Sequence, residues 1–215
     1  MTCNVIATGS GGNAVVLNDN IMIDCGVPFR ELEGVYKSLS LVLLTHIHGD
    51  HFNPDTIKRL HFMRPSLRFC CGEWLYEHLV NIGISESAID CCDASIAFRY
   101  GVGLTIGLDV IPHDVMNCAW RVWAGEEKAF YATDCASLDS VTAKGYDLYL
   151  IEANYGEDEL LERQERKLAE GKFSYEARAA ASHLSEEQAT AWLNENAETG
   201  KSKVLFLHRH IQEEE

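Results

Sequence analysis

Thr45-His46-Ile47-His48-Gly49-Asp50-His51 is the stretch that decides how this chain folds and what it does. It follows directly on the apolar run Leu41 to Leu44, so a buried strand delivers it to the end of a sheet, where loops carry function. In an extended segment His46 and His48 share a face, and Gly49 permits the sharp turn that brings Asp50 and His51 round as a second pair. A lone His is ordinarily a hydrogen-bonded or solvated residue. Three His and an Asp at this spacing, among nine His in the chain, point instead to metal ligation, and four ligands in six residues suit two ions. The donor set fits zinc, manganese or iron.

Working outward, the first third reads as short strands: Asn4 to Thr8, Ala14 to Leu17, Ile21 to Asp24 and Leu41 to Thr45, punctuated by Gly11-Gly12, Asn18-Asp19-Asn20 and Gly26. Asn53 to His61 turns helical, with Asn53 or Asp55 as cap and Pro54 in the first turn, and Glu73 to Asn81 predicts a second helix. Strand patterns return at Ser95 to Tyr100, Leu104 to Ile111, Ala119 to Val122, Lys128 to Ala132 and Leu148 to Glu152. Helices are predicted over Glu157 to Glu170 and Ser185 to Asn196, the latter opening on a Ser185/Gln188 capping box, and the strand Val204 to Leu207 leads into His208, Arg209 and His210. Two blocks of strands, each followed by helices, predict an α/β architecture: two packed sheets with helices outside, in a single domain over 1–215.

Composition sets the bounds. The 215 residues, 47% hydrophobic and 24% charged, fit a folded globular protein. Eighteen Lys and Arg against 33 Asp and Glu leave a net charge of −15, so any polyanion must be drawn in locally rather than by a broad basic face. The N-terminus has neither a basic nor an apolar signal region and no apolar run is long enough to span a bilayer, so the expectation is a cytoplasmic protein without a membrane partner. The eight Cys contain no C-x-x-C, and vicinal pairs such as Cys70-Cys71 send successive strand side chains to opposite faces; reduced thiols are expected rather than a structural zinc cluster.

His46, His48, Asp50 and His51 resemble the H-x-H-x-D-H signature of the metallo-β-lactamase superfamily. The resemblance extends over almost the whole chain, through His113 in Ile111-Pro112-His113-Asp114, Asp134 in Tyr131-Ala132-Thr133-Asp134 and His208 in Leu205-Phe206-Leu207-His208. It implies a four-layer αββα sandwich holding two divalent metal ions, zinc first and manganese or iron as alternatives. One ion would take His46, His48 and His113, the other Asp50, His51 and His208, with Asp134 bridging; His210 stands as an alternative to His208. Asp24, at the end of an early strand, is implied as a partner fixing a ligating His through its other nitrogen, and Asp114 either orients His113 or faces solvent.

Thr8-Gly9-Ser10-Gly11-Gly12-Asn13, Glu152-Ala153-Asn154 and Ser182-His183-Leu184-Ser185 are similar to the small WalJ/YycJ-type, exonuclease-like branch, and the His183 segment also resembles that of ribonuclease Z. The pattern departs from that branch at Tyr155, Ser182 and Arg209-His210. The resemblance implies a metal-dependent hydrolase, a phosphodiesterase or nuclease acting on DNA or RNA by a hydroxide held between the ions. Asp50 would orient the attacking group and His183 would protonate the leaving oxygen, with Arg178, Arg209 and Lys58 as candidate phosphate contacts. A small thioester, lactone or cyclic phosphate is the alternative substrate class, and a non-catalytic metal-binding scaffold the alternative to an enzyme. Oligomeric state is not legible.

Overall fold

Hydrophobic alternation splits the strands of this chain between three cores. In the computed structural model, which describes residues 1–94, 96–171 and 180–209, twelve strands form two six-stranded sheets. The first sheet runs in sequence order, β1 (Cys3–Ala7), β2 (Ala14–Leu17), β3 (Ile21–Ile23), β4 (Leu41–Leu44), β5 (Arg68–Gly72) and β6 (Ile89–Cys92). Its first two pairings are antiparallel and the other three parallel. The second sheet comprises β7 (Phe98–Tyr100), β8 (Leu104–Ile111), β9 (Asn117–Ala124), β10 (Glu127–Ala132), β11 (Leu148–Glu152) and β12 (Lys203–Leu207), also in sequence order. It is antiparallel from β7 to β10 and parallel from β10 to β12.

Period-2 geometry sends neighbouring residues of a strand to opposite faces. Leu17, Ile23, Leu43 and Cys70 therefore meet Trp120, Tyr131 and Leu150 of the second sheet in a central core, while their neighbours Val16, Met22, Val42 and Phe69 face outward. That outer face is covered by α1 (Pro54–Met63), through Ile57 and Leu60, and by α2 (Tyr76–Asn81), through Leu79. On the other side Phe130, Tyr149 and Ile151 face α4 (Glu186–Asn196), whose Trp192 stacks on Phe130 at 5.3 Å and donates to the Val141 carbonyl. The layers are helix, sheet, sheet, helix.

Local signals act as the sequence indicates at the helix starts. Asn53 Oδ1 accepts from Thr56 N with Pro54 at the first position, and Ser185 and Gln188 form a capping box. α3 (Glu157–Ala169) has three acidic residues in its first turn, where the helix dipole favours them. Two expectations shift. The segment from Glu73 splits into a 3-10 turn, Glu73–Leu75, and the short α2. The strand expected from Ser95 is ordered as β7 from Phe98, Ser95 itself lying outside the described residues. Arg68–Gly72 and Ile89–Cys92 are two further strands, beyond those bounded from the sequence. Arg68 donates through Nε to Asp90 Oδ2 at 2.6 Å across the ladder, so a charged pair, not an apolar pattern, marks their register. No helix among the described residues is long and apolar enough to cross a membrane.

Candidate dinuclear metal centre

The directions of the strands decide where the chemistry gathers. β3 and β4 are parallel, β10, β11 and β12 are parallel, and β8 shares their direction through two antiparallel steps, so the residues leaving their C-terminal ends collect at the ends of both sheets. Asp24 follows β3, His46 to His51 follow β4, His113 follows β8, Asp134 follows β10, Glu152 closes β11 and His208 follows β12. Asp24, Asp134 and His208 take left-handed backbone at φ 59°, 53° and 54°. Non-glycine residues rarely do so, and three at strand ends around one centre mark local strain held by the surrounding contacts.

The turn at Gly49-Asp50-His51 is clamped by the glycine-rich segment before β2. Asn13 N donates to Asp50 O at 2.7 Å, Gly26 N donates to Asn13 O at 2.9 Å, and Cys25 N donates to His51 O at 2.9 Å. Asn13 Nδ2 also lies 2.8 Å from His51 Nε2. Gly26 is pressed so closely to the turn that a Cβ there would sit 1.7 Å from Asp50 O. Gly26→Ala should therefore cost about 3 kcal/mol, or about 6–12 °C in Tm, whereas Gly11→Ala, with open space around it, should leave Tm nearly unchanged. Thermal melts of both variants check this; equal Tm values would show that the close approach carries no energy.

Three imidazoles, His46, His48 and His113, present ring nitrogens within 4.8 Å of one another. The same holds for the donor atoms of Asp50, His51, Asp134 and His208, and for those of Asp134, Glu152, His183 and His208. Asp134 joins these sets: its Oδ2 lies 3.5 Å from His46 Nε2 and closer still to His51 Nε2, and its Oδ1 lies 3.4 Å from His208 Nε2. His46 Nε2, Asp134 Oδ1 and His208 Nε2 are buried without a hydrogen-bond partner among the described residues. Each such orphan costs about 1–3 kcal/mol, and divalent cations held among them would satisfy all three. The residues fit divalent metal binding.

Fixed partners hold the other ring nitrogens. Asp24, fully buried, lies 2.7 Å from His51 Nδ1 and accepts from Thr45 N, Thr45 Oγ1 and Tyr131 OH at 3.0, 2.8 and 3.0 Å; Thr45 Oγ1 in turn lies 2.9 Å from His46 Nδ1. His113 Nδ1 meets Ser182 O at 3.1 Å, and Asn154 Nδ2 meets His208 Nδ1 at 2.9 Å. Asp114 Oδ1 lies 3.3 Å from His48 Nε2 and 3.2 Å from His113 Nε2, so it serves both rings rather than facing away.

His183 packs inside this centre, stacked on His208 at 5.3 Å, with Nδ1 2.5 Å from Glu152 Oε1 and 3.2 Å from Asp134 Oδ1. Glu152 is wholly buried and also accepts from Cys135 N and Leu184 N at 3.1 and 3.3 Å. Sequence reasoning quoted Glu152 only as part of a motif. A carboxylate ending the apolar run Leu148 to Ile151 is a buried charge that requires a partner, and that signal was sufficient to single it out.

Electrostatics follow from this crowding. Burial and the neighbouring imidazoles hold His46 down at about 2, and burial lowers His113, so both rings are neutral. Burial would lower His183 and His208 as well, but the carboxylates of Asp134 and Glu152 lift His183 to about 10, and those of Asp50 and Glu152 lift His208 to about 9. Burial would raise Asp134, yet His51, His183 and His208 hold it well below the usual carboxylate range. Without a cation, protons on the imidazoles balance the buried carboxylates.

Of the candidate phosphate contacts, Arg209 bonds Glu186 at 2.9 Å beside His208, and Lys58 lies 3.7 Å from Asp55 on α1. Arg178, and His210 as the alternative last ligand, lie outside the described residues.

Residues 19–209 match the β-lactamase superfamily domain. The metallo-β-lactamase fold protein YhfI from Bacillus subtilis superposes with a TM-score of 0.72 at 20% identity, covering 98% of this chain and 86% of that one. The short form of human tRNase Z gives 0.69 at 14% identity over 97% and 92%, and a diphosphatase of the PhnP family gives 0.67 at 17% over 96% and 85%. At these identities the likeness is one of fold. No curated protein sequence matches the chain.

Proposed function

The chain belongs to the β-lactamase superfamily domain family, and from that premise we propose that it is a divalent-metal-dependent phosphodiesterase acting on nucleic acid. The observation that carries this reading is the meeting of two donor clusters at Asp134 with the Glu152–His183 pair set against them. His46, His48 and His113 would hold one ion, Asp50, His51 and His208 the other, and Asp134 would face both. Two such ions would supply Lewis acidity toward phosphate oxygens and a water acidic enough to ionise near neutral pH.

The chain's own residues do the rest. Asp50, partly exposed at the tip of the clamped turn, would orient the attacking water. Glu152 fixes His183 through Nδ1, so its Nε2 is directed away from the carboxylate, on a side chain that keeps a fifth of its surface open. That nitrogen would hand a proton to the departing oxygen. The proton donor favours a phosphodiester over a thioester: a thiolate leaves readily at neutral pH, with a thiol pKa of about 8.5, whereas a sugar alkoxide needs the proton. Two structural neighbours bear phosphate-ester names, a tRNase and a diphosphatase.

Metal analysis of the purified protein, paired with nitrophenol release from bis(4-nitrophenyl) phosphate and a panel of thioesters and lactones, tests the proposal. Zinc, manganese or iron near two per chain, phosphodiester turnover absent from Asp50→Ala, and degradation of labelled single-stranded DNA or RNA are the expected results. Turnover confined to the thioester or lactone panel would select the alternative substrate class. A metal-loaded protein that hydrolyses nothing would select the scaffold.

A further inference from the structure

Four of the eight cysteines meet on two neighbouring strands, none of them among the donor clusters of the metal centre. β5 and β6 are parallel, with Cys71 opposite Cys91 and Gly72 opposite Cys92. Alternation sends Cys70 and Cys92 into the core between the sheets and Cys71 toward the helices, while Cys91 is exposed. Cys70 Sγ and Cys92 Sγ lie 2.9 Å apart as free thiols. Arg68 of β5 bonds Asp90 of β6 across the pair, and Tyr100 OH of β7 donates to the same carboxylate, Asp90 Oδ2, at 2.6 Å.

From this geometry we propose that Cys70 and Cys92 form a reversible disulfide when the protein meets a peroxide. A metal site is the poorer use of the pair. An ion with bonds of about 2.3 Å to two sulfurs 2.9 Å apart would see them at about 80°, far below the tetrahedral angle, and Cys71 lies on the opposite face of β5. Cys92, on the edge strand β6 and slightly open to solvent, is the thiol that a small oxidant reaches, whereas Cys70 is fully enclosed. Contact with Cys70 holds the Cys92 thiol below the ordinary range while burial pushes Cys70 up, in keeping with the more open Cys92 as the sulfur that reacts first.

The steps balance. The Cys92 thiolate attacks one peroxide oxygen, the O–O bond breaks, and the departing hydroxide takes a proton to become water, leaving a sulfenic acid on Cys92. Cys70 sulfur then attacks Cys92 sulfur, the S–S bond forms, and the sulfenic hydroxyl leaves with the Cys70 proton as a second water. Two electrons pass from the sulfur pair to one peroxide, and a dithiol reverses the change. The bond would tie β5 to β6 just before Gly72, over which the Trp74 indole lies; Trp74 Nε1 donates to Thr45 O at 3.0 Å, immediately before His46.

Treating the metal-loaded protein with hydrogen peroxide, alkylating the remaining thiols and cleaving at glutamates, of which Glu73 separates the two pairs, reads the outcome by mass. Expected are a loss of about 2 Da, a link between the two cysteine-bearing peptides, and reversal by dithiothreitol. The link should persist in Cys71→Ser and Cys91→Ser and vanish in Cys92→Ser. Cys92→Ala gives the same reading should the serine variant fold poorly. A link that survives in Cys92→Ser, one that depends on Cys71, or a sulfinic acid at Cys92 with no link would overturn the proposal, whatever the hydrolytic assays show.

Discussion

Asp134→Ala should strip the protein of its divalent ions and lower phosphodiester turnover by about 1,000-fold or more, the equivalent of about 4 kcal/mol of lost charge stabilisation. The size follows from position. Among the described residues Asp134 is the carboxylate within reach of His46, His51, His183 and His208 together, and it is held in left-handed backbone at the end of β10. Ions that bind the folded state alone raise stability by about 4 kcal/mol at a thousandfold excess over Kd, so a chelator should depress the Tm of the parent protein and leave that of Asp134→Ala where it was. Elemental analysis and melts with and without chelator measure both effects. An Asp134→Ala protein that retains two ions would show that the two clusters hold metal independently of the residue between them.

The second large effect belongs to His183→Ala, and it depends on what leaves. With a dinucleotide, whose departing alkoxide needs a proton, kcat should fall by about 100- to 10,000-fold; with a nitrophenyl ester, whose phenolate departs unaided, the loss should be within about tenfold. Metal content should stay at the parent level, because His46, His48, His51, His113 and His208 remain. Glu152→Gln should show the same leaving-group pattern, since the carboxylate acts through His183 Nδ1. An equal loss on both substrates would assign His183 to structure or to metal binding instead.

Much of this centre was legible before any coordinates. Gly49 between His48 and Asp50 announces a turn that brings two pairs of ligands round, and apolar runs ending in Asp24, His113, Asp134 or His208 announce polar groups carried to strand ends. The cap of α1 at Asn53 and the box at Ser185 and Gln188 were readable because capping is local in sequence. Arg68 and Asp90 were not readable as partners, since 22 residues separate them and only the parallel pairing of β5 with β6 brings them together. The partners of Glu152 were hidden for the same reason, His183 and Cys135 N coming from other segments.

By itself the sequence determined the class of fold and the identity of the donor side chains, because alternation, capping and ligand spacing are properties of a few adjacent residues. The grouping of the donors around Asp134 was implied only by the family resemblance, and tertiary structure alone decided that Glu152 holds His183 and that Cys70 finds Cys92. Those are long-range facts. They depend on the direction and register of strands, which are set by how two sheets bury their faces against each other and not by any short stretch of chain.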